Sequence, residues 1–207
     1  MTLTAQDASA FERCMATGGL AIFPADTVYG LACDPHANET VHRLYLLKRR
    51  AADKPAAVLF FALDLALEAL PEQGPRTRAA LEALLPGALT LLLPNPAGRW
   101  PLACGPDPST VGLRVPALPP PLAALQGVRR PVLQSSANTS GGPDARRLAA
   151  VPAPVRDAAD LVLDGGELPG MPSTVVDLRG FEEDGTWAVV REGAVQTEAL
   201  TRALEAL

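Results

Sequence analysis

The sequence predicts one α/β (α+β) domain built around a single twisted mixed β-sheet flanked by helices. Three observations carry that prediction. Short apolar runs of strand length alternate with stretches of helical periodicity along the whole chain. Hairpin-length gaps near the C-terminal end argue against a purely parallel sheet. The 207 residues, 48% hydrophobic and 20% charged, suit one soluble globular unit that needs no metal or disulfide staple. No internal repeat, low-complexity linker or boundary divides the chain, so a single domain over 1–207 is expected.

The elements follow in order. Residues 6–17 read as a helix stopped by Gly18-Gly19. LAIFPA (20–25) reads as a strand broken at Pro24, and PADTVYGL as a turn after it. Asn38 is positioned to cap a helix running to about Arg49, with Val41, Leu44 and Tyr45 on one face. AAVLFF (56–61) is strand-like, helices follow near 63–70 and 76–85, and ALTLLLP (88–94) is another strand. Residues 94–121 are rich in proline, yet TVGLRVP within them alternates as a strand does. RPVLQSS (130–136) leads a strand into a polar turn; further strands are expected at 160–163, 174–178 and 187–191, with a helix after Gln196.

Composition narrows the function classes. Cys14, Cys33 and Cys104 are odd in number and widely spaced, which fits a reducing compartment and neither a disulfide framework nor a zinc site. The N-terminal stretch has no basic and apolar signal pattern, and no apolar run reaches the length of a membrane span, so a cytoplasmic location without membrane contact is expected. A net charge of −5 with few aromatics suits a small anionic ligand better than a long polyanion.

Four stretches can carry chemistry. In PADTVYGL the chain turns where Thr27 presents a hydroxyl to a cleft, or where Asp26 simply caps a turn. YLLKRRAADKP holds Lys48 and Lys54, the only lysines of a chain with sixteen arginines. Lys48 and Arg50 point apart on a continuing helix and converge only if the chain leaves the helix there. A helix end, a loop and a strand start each then contribute a cation to a triphosphate clamp; the alternative is a solvated charged loop. QSSANTSGGPD exposes backbone N–H groups around Ser136 and Asn138, as an anion cradle or as a plain turn. Arg114, within an otherwise apolar strand, requires a ligand or an internal carboxylate. PSTVVD and VVREGAV add Ser173 and Arg191. The Walker and dinucleotide glycine patterns, the kinase signature and the G-x-S-x-G elbow are all missing, and His36 and His42 are the only histidines.

Taken in order, PADTVYGL, KRRAADKP, PGALTLLL, TVGLRVP, SSANTSG, PSTVVD and VREGAV resemble the YrdC-like family of L-threonylcarbamoyladenylate synthases, over about residues 18–195. The resemblance implies a positively lined central cleft and a nucleotidyltransferase that joins L-threonine, bicarbonate and ATP, the last with Mg²⁺, into threonylcarbamoyl-AMP and pyrophosphate. It implies that a separate transferase complex then passes the threonylcarbamoyl group to the adenosine beside the anticodon of tRNA. By the same resemblance Lys48 and Arg50 face the ATP phosphates and the reacting centre, and Lys54 adds a nucleotide contact. Thr27, Arg114 and Ser173 would contact L-threonine; Thr110, Ser136, Asn138 and Arg191 would line the nucleotide side. No metal ligand set within the protein is implied.

Four positions depart from the pattern: Ala25 replaces a common threonine, Ala56 a leucine, Leu59 a histidine near threonine, and Asp144 a serine beside the nucleotide. The chain ends soon after Leu200, so the short single-domain form is expected. Two rivals remain, an RNA-binding or ribosome-maturation module without turnover and another carbamoyl-adenylate-forming carbamoyltransferase. Low aromatic content weighs against the first, and length and lack of C-x-x-C pairs against the second.

Overall fold

Nine strands pair into one sheet in the order β7-β1-β2-β6-β3-β5-β4-β8-β9. They are β1 (Ala21–Pro24), β2 (Tyr29–Cys33), β3 (Ala57–Leu59), β4 (Leu89–Pro94), β5 (Thr110–Arg114), β6 (Val132–Ser136), β7 (Leu161–Val162), β8 (Thr174–Asp177) and β9 (Ala188–Arg191). The computed structural model describes residues 1–51 and 53–207. Pairs β1–β7, β3–β5 and β4–β8 are parallel and the rest antiparallel, so the sheet is mixed as the sequence predicts.

The hairpin of β1 and β2 refines the first expectation. Pro24 does not precede the strand end but closes it, paired with Tyr29, where its lacking N–H is harmless. The second strand, YGLAC, is buried at every position and therefore shows no alternation that could announce it. Phe11, Phe23 and Phe61 form the aromatic centre of the core beside it, with ring centroids 5.3–5.9 Å apart.

Helix α1 (Ala5–Ala16) opens on a Thr4–Asp7 capping box and is followed by Gly18 in the left-handed region. Helices α3 (Leu63–Ala69) and α4 (Pro75–Leu84) follow β3, and α8 (Thr197–Leu204) closes the chain. Short turns of helix at α5 (Pro101–Cys104), α6 (Ala153–Asp157) and α7 (Phe181–Asp184), and 3₁₀ segments at Pro120–Gly127 and Leu148–Ala150, are too brief for a periodic signal.

Helix α2 (Asn38–Leu47) departs from expectation at both ends. Asn38 is the first helical residue, not the cap; Ala37 occupies the cap position without a side-chain bond, and the Asp34 carboxylate instead accepts the His36 N–H at 2.8 Å. The helix stops two residues before Arg49 through a doubled reverse bond: Arg50 N–H donates to Tyr45 O and Arg49 N–H to Leu46 O, both at 2.9 Å. That turn places Arg49 at φ +49°, where glycine is the usual occupant. Three successive cations thereby part company, Lys48 inward, Arg49 to solvent and Arg50 to a half-buried position. Arg49→Gly is expected to stabilise the fold by about 0.5–1 kcal/mol, read as a rise of roughly 1–4 °C in Tm.

Candidate active site

A cavity of about 440 Å³ opens on one face of the central strands. Its floor follows from strand geometry, since alternate residues share a face. Thr90 and Leu92 of β4, Thr110, Gly112 and Arg114 of β5, and Gln134 and Ser136 of β6 all line it. Ser173 and Val175, Ala57, and Arg191 at the end of β9 complete that face, and Arg50 enters from the turn after α2. The intervening residues Leu91, Val111 and Leu113 are buried on the opposite face, as is Leu133 before Gln134, while Ser135 also reaches the cavity. Sequence motifs more than a hundred residues apart thus meet in one place.

Arg114 is 4% exposed and is held by an internal carboxylate: its Nη2 donates to Asp26 Oδ1 at 2.8 Å. Thr27 Oγ1 and Gln134 Oε1 each lie 3.4 Å from the guanidinium, and its buried Nε has no protein partner. Asp26 Oδ2 accepts the Ala117 N–H at 3.1 Å. Burial pushes the Asp26 carboxyl up from its ordinary value, while Arg114 and that N–H pull it back. Arg191 Nη2 donates to Ser173 O at 2.7 Å and reaches Ser173 Oγ at 3.3 Å. Thr110 Oγ1 donates to Asp107 Oδ2 at 2.6 Å, and the two residues stand together on the wall.

Lys48 is placed differently from the expectation of a cation facing the ligand. It is 1% exposed, does not line the cavity, and lies behind the 136–144 turn. Its ammonium donates to Ser136 O, to Asn138 O and to Asn138 Oδ1, the last two at 2.8 Å. Its own carbonyl accepts the Ser140 N–H at 2.7 Å. Burial, then Arg50, lower the Lys48 pKa to about 8, and Asp144 opposes them. Asn138 also sits off the cavity wall: its Nδ2 donates to Gly142 O at 2.8 Å and Asp144 Oδ1 at 3.1 Å, while its Oδ1 takes the Ser136 hydroxyl at 2.8 Å.

Two more expected site residues lie outside the wall. Thr27 is 1% exposed beneath Arg114, with Val28 taking the lining position. Lys54 is exposed near the cavity rim, and its carbonyl accepts the Tyr45 hydroxyl at 2.8 Å. Of the departures, Asp144 does face the cavity. Leu59 is fully buried beside Arg114 in the β3–β5 register, and Ala25 and Ala56 are buried too.

Among the polar lining residues, Asp107, Gln134 and Thr90, with Ser135 beside Ser136, escaped the sequence reasoning. Asp107 sits in the proline-rich stretch without a pattern. Gln134 was findable from its spacing of two from Ser136. Thr90, the one polar residue inside LTLLLP, was hidden because its apolar neighbours dominate the run.

A sheet-face cavity carrying three arginines, several hydroxyls and a pinned polar turn defines an α/β protein built to hold a small anionic ligand. The family model Sua5/YciO/YrdC, described as "Telomere recombination", matches residues 13–193. A threonylcarbamoyl-AMP synthase of Xanthomonas campestris pv. campestris (strain B100) is 33% identical over 179 residues, 84% of this chain and 94% of that protein. A putative threonylcarbamoyl-AMP synthase of Mycobacterium tuberculosis (strain ATCC 25618 / H37Rv) is 33% identical over 192 residues, 90% of this chain and 84% of its own. The crystal structure of P. abyssi Sua5 complexed with L-threonine superposes with a TM-score of 0.83 at 28% identity, covering 98% of this chain and 58% of that one. The structure of E. coli YciO shares the fold, with a TM-score of 0.78 at 22% identity over 95% of this chain and 94% of that one. The chain belongs to the Sua5/YciO/YrdC family. Among the described residues no helix is long and apolar enough to cross a membrane, and no group of three or more His, Cys, Asp or Glu is placed to hold a metal ion.

Proposed function

We propose that this chain is an L-threonylcarbamoyladenylate synthase, a nucleotidyltransferase forming threonylcarbamoyl-AMP and pyrophosphate from L-threonine, bicarbonate and ATP. The observation that carries the proposal is the convergence of Arg50, Arg114, Arg191, Thr110, Ser136 and Ser173 on one cavity. Arg114 and Ser173 take L-threonine, the arginine offering its unpartnered Nε side to the carboxylate while Asp26 and Thr27 hold the other side. Arg50, Thr110, Ser136 and Arg191 take the nucleotide, with exposed Lys54 reaching phosphates from the rim. Lys48 and Asn138 serve the same site from behind by fixing the turn that carries Ser136.

The neutral threonine amine attacks the carbon of bicarbonate, a C–N bond forming as a C–O bond breaks and water leaves, to give a carbamate; a carbamate oxygen then attacks the α-phosphorus and the bond to the departing pyrophosphate breaks. Such a step rests on positioning and neutralisation of charge, which guanidinium groups supply without a histidine. Asp107 and Asp144 are wall carboxylates of the hard-oxygen type that would hold a Mg²⁺ accompanying ATP, which would serve to neutralise phosphate charge. The product suits delivery to a threonylcarbamoyl transferase complex acting on tRNA.

The test is pyrophosphate release from Mg-ATP with L-threonine or bicarbonate omitted in turn. Release needing both, and falling on the order of a hundredfold in Arg50→Ala, supports the synthase. A folded protein that releases nothing under any condition sinks it.

The Lys48 pKa of about 8 sets a pH limb. Below it the ammonium grips the turn; above it the grip weakens, so activity should fall as pH rises through about 8. Asp144→Asn removes the charge that raises this pKa, so the limb moves to lower pH. A pH–rate profile of both proteins checks it, and coincident alkaline limbs would count against the assignment. Stability follows a separate sign: the folded pKa lies below the unfolded value of 10.5, so this lysine's unfavourable contribution is relieved as pH rises between them.

A further inference from the structure

We propose that Thr90 is a positioning residue that, with Ser173, directs one hydroxyl proton into the cavity to recognise the side-chain hydroxyl of the amino-acid substrate. The inference rests on the synthase proposal and extends it to a residue in the middle of an apolar strand.

Thr90 Oγ1 and Ser173 Oγ are 2.8 Å apart, and either can donate to the other. Arg191 Nη2 donates toward Ser173 Oγ at 3.3 Å and takes up one of its acceptor sites. If Thr90 donates to Ser173, both serine acceptor sites are filled and the serine proton must point elsewhere. If Ser173 donates to Thr90, the threonine proton is the one left over. Among the described residues neither oxygen donates to any other acceptor. Both residues line the cavity, so in either case one O–H is offered to its contents. The pair thus behaves as one donor, and it exists as a pair only while Thr90 keeps its hydroxyl.

The neighbours indicate what that donor meets. Val175 stands opposite Thr90 in the parallel β4–β8 register, and Leu92 follows on the same face; both line the cavity. A hydroxyl donor beside an apolar wall matches a substrate side chain bearing a hydroxyl and a methyl on the same carbon. Arg191, bonded to Ser173, is close enough to Arg114 for its charge to act on that guanidinium. One amino acid can therefore place its carboxylate on Arg114 and its side chain on the Thr90–Ser173 pair. The strand position explains the choice of residue: β-branched threonine suits β4 and carries the hydroxyl at no loss of strand propensity.

The test compares Thr90→Val, which keeps the shape and removes the hydroxyl, with Thr90→Ser, which keeps the hydroxyl. In the pyrophosphate assay Thr90→Val should raise KM for L-threonine about tenfold, the scale of one hydrogen bond, with kcat within threefold and KM for ATP unmoved. The preference for L-threonine over L-valine should shrink by a similar factor, and Thr90→Ser should restore most of both. An unchanged KM in Thr90→Val, or equal impairment in Thr90→Ser, overturns the inference and assigns Thr90 to packing. If the wild-type protein shows no turnover, the synthase proposal falls, and calorimetric titration with L-threonine reads the same comparison. No difference between wild type and Thr90→Val in that titration then overturns this inference as well.

Discussion

Replacing Asp26 with alanine is expected to destabilise the protein by about 3–5 kcal/mol, as removing one partner of a buried ion pair does. Both side chains are almost wholly enclosed, 5% and 4% exposed, so water cannot step in for the missing carboxylate. Arg114 would keep a charge buried against Thr27 and Gln134 at contacts of 3.4 Å, too long to compensate it. The Ala117 N–H would lose its acceptor as well. Asp26→Asn should cost less, because an amide oxygen can still take one of these donors. The two variants also separate stability from function: at a temperature where both remain folded, each should weaken L-threonine binding tenfold or more, since Arg114 is no longer aimed. Urea unfolding and titration with L-threonine measure the two effects. A loss under about 1 kcal/mol in Asp26→Ala would show that the pair contributes little beyond its own desolvation.

Lys48→Met is the second large effect. Methionine keeps the length and apolar stem but withdraws the donors that hold Ser136 O, Asn138 O and Asn138 Oδ1. Asn138 O is left without a partner at a cost of about 1–3 kcal/mol, while Ser136 O keeps the Asn138 N–H and Asn138 Oδ1 keeps the Ser136 hydroxyl, and release of a desolvated ammonium offsets part of the loss. A net loss of about 1–2 kcal/mol is expected, together with a fall in turnover on the order of a hundredfold or more. The distinguishing readout is local. Amide exchange should accelerate through 138–142 well before the rest of the sheet opens, because Asn138 ties Ser136, Gly142 and Asp144 together. Uniform acceleration across the sheet would instead make Lys48 a general core residue with no special hold on this turn.

These two residues also show how much was legible in the sequence. Eight of the nine strands, all but β2, and the five longest α-helices announce themselves through apolar runs, breaks and periodicity, since those signals are local. The membership of the cavity came through motif order, which gathered Arg50, Thr110, Arg114, Ser136, Ser173 and Arg191. What the sequence could not convey was depth. Lys48 lies two positions from Arg50, yet a single left-handed residue between them sends one beneath the turn and the other to the wall. Arg114 was known to need a ligand or a carboxylate, and only the sheet register brings Asp26, 88 residues away, to its side. Thr90 stayed hidden for the same reason: its partner Ser173 is 83 residues distant, and nothing in LTLLLP hints at it.

The order of strands in the sheet has a consequence for how the protein is made. The strands that floor the cavity are neighbours in space as β6-β3-β5-β4-β8, an order unlike that in which the ribosome produces them. The cavity draws on residues from Val28 to Arg191, in a chain of 207. A growing chain therefore lacks part of the cavity lining until its ninth strand has emerged. Arg191 is thus the last of the three cavity arginines to leave the ribosome, and the full set is present only once β9 has been made.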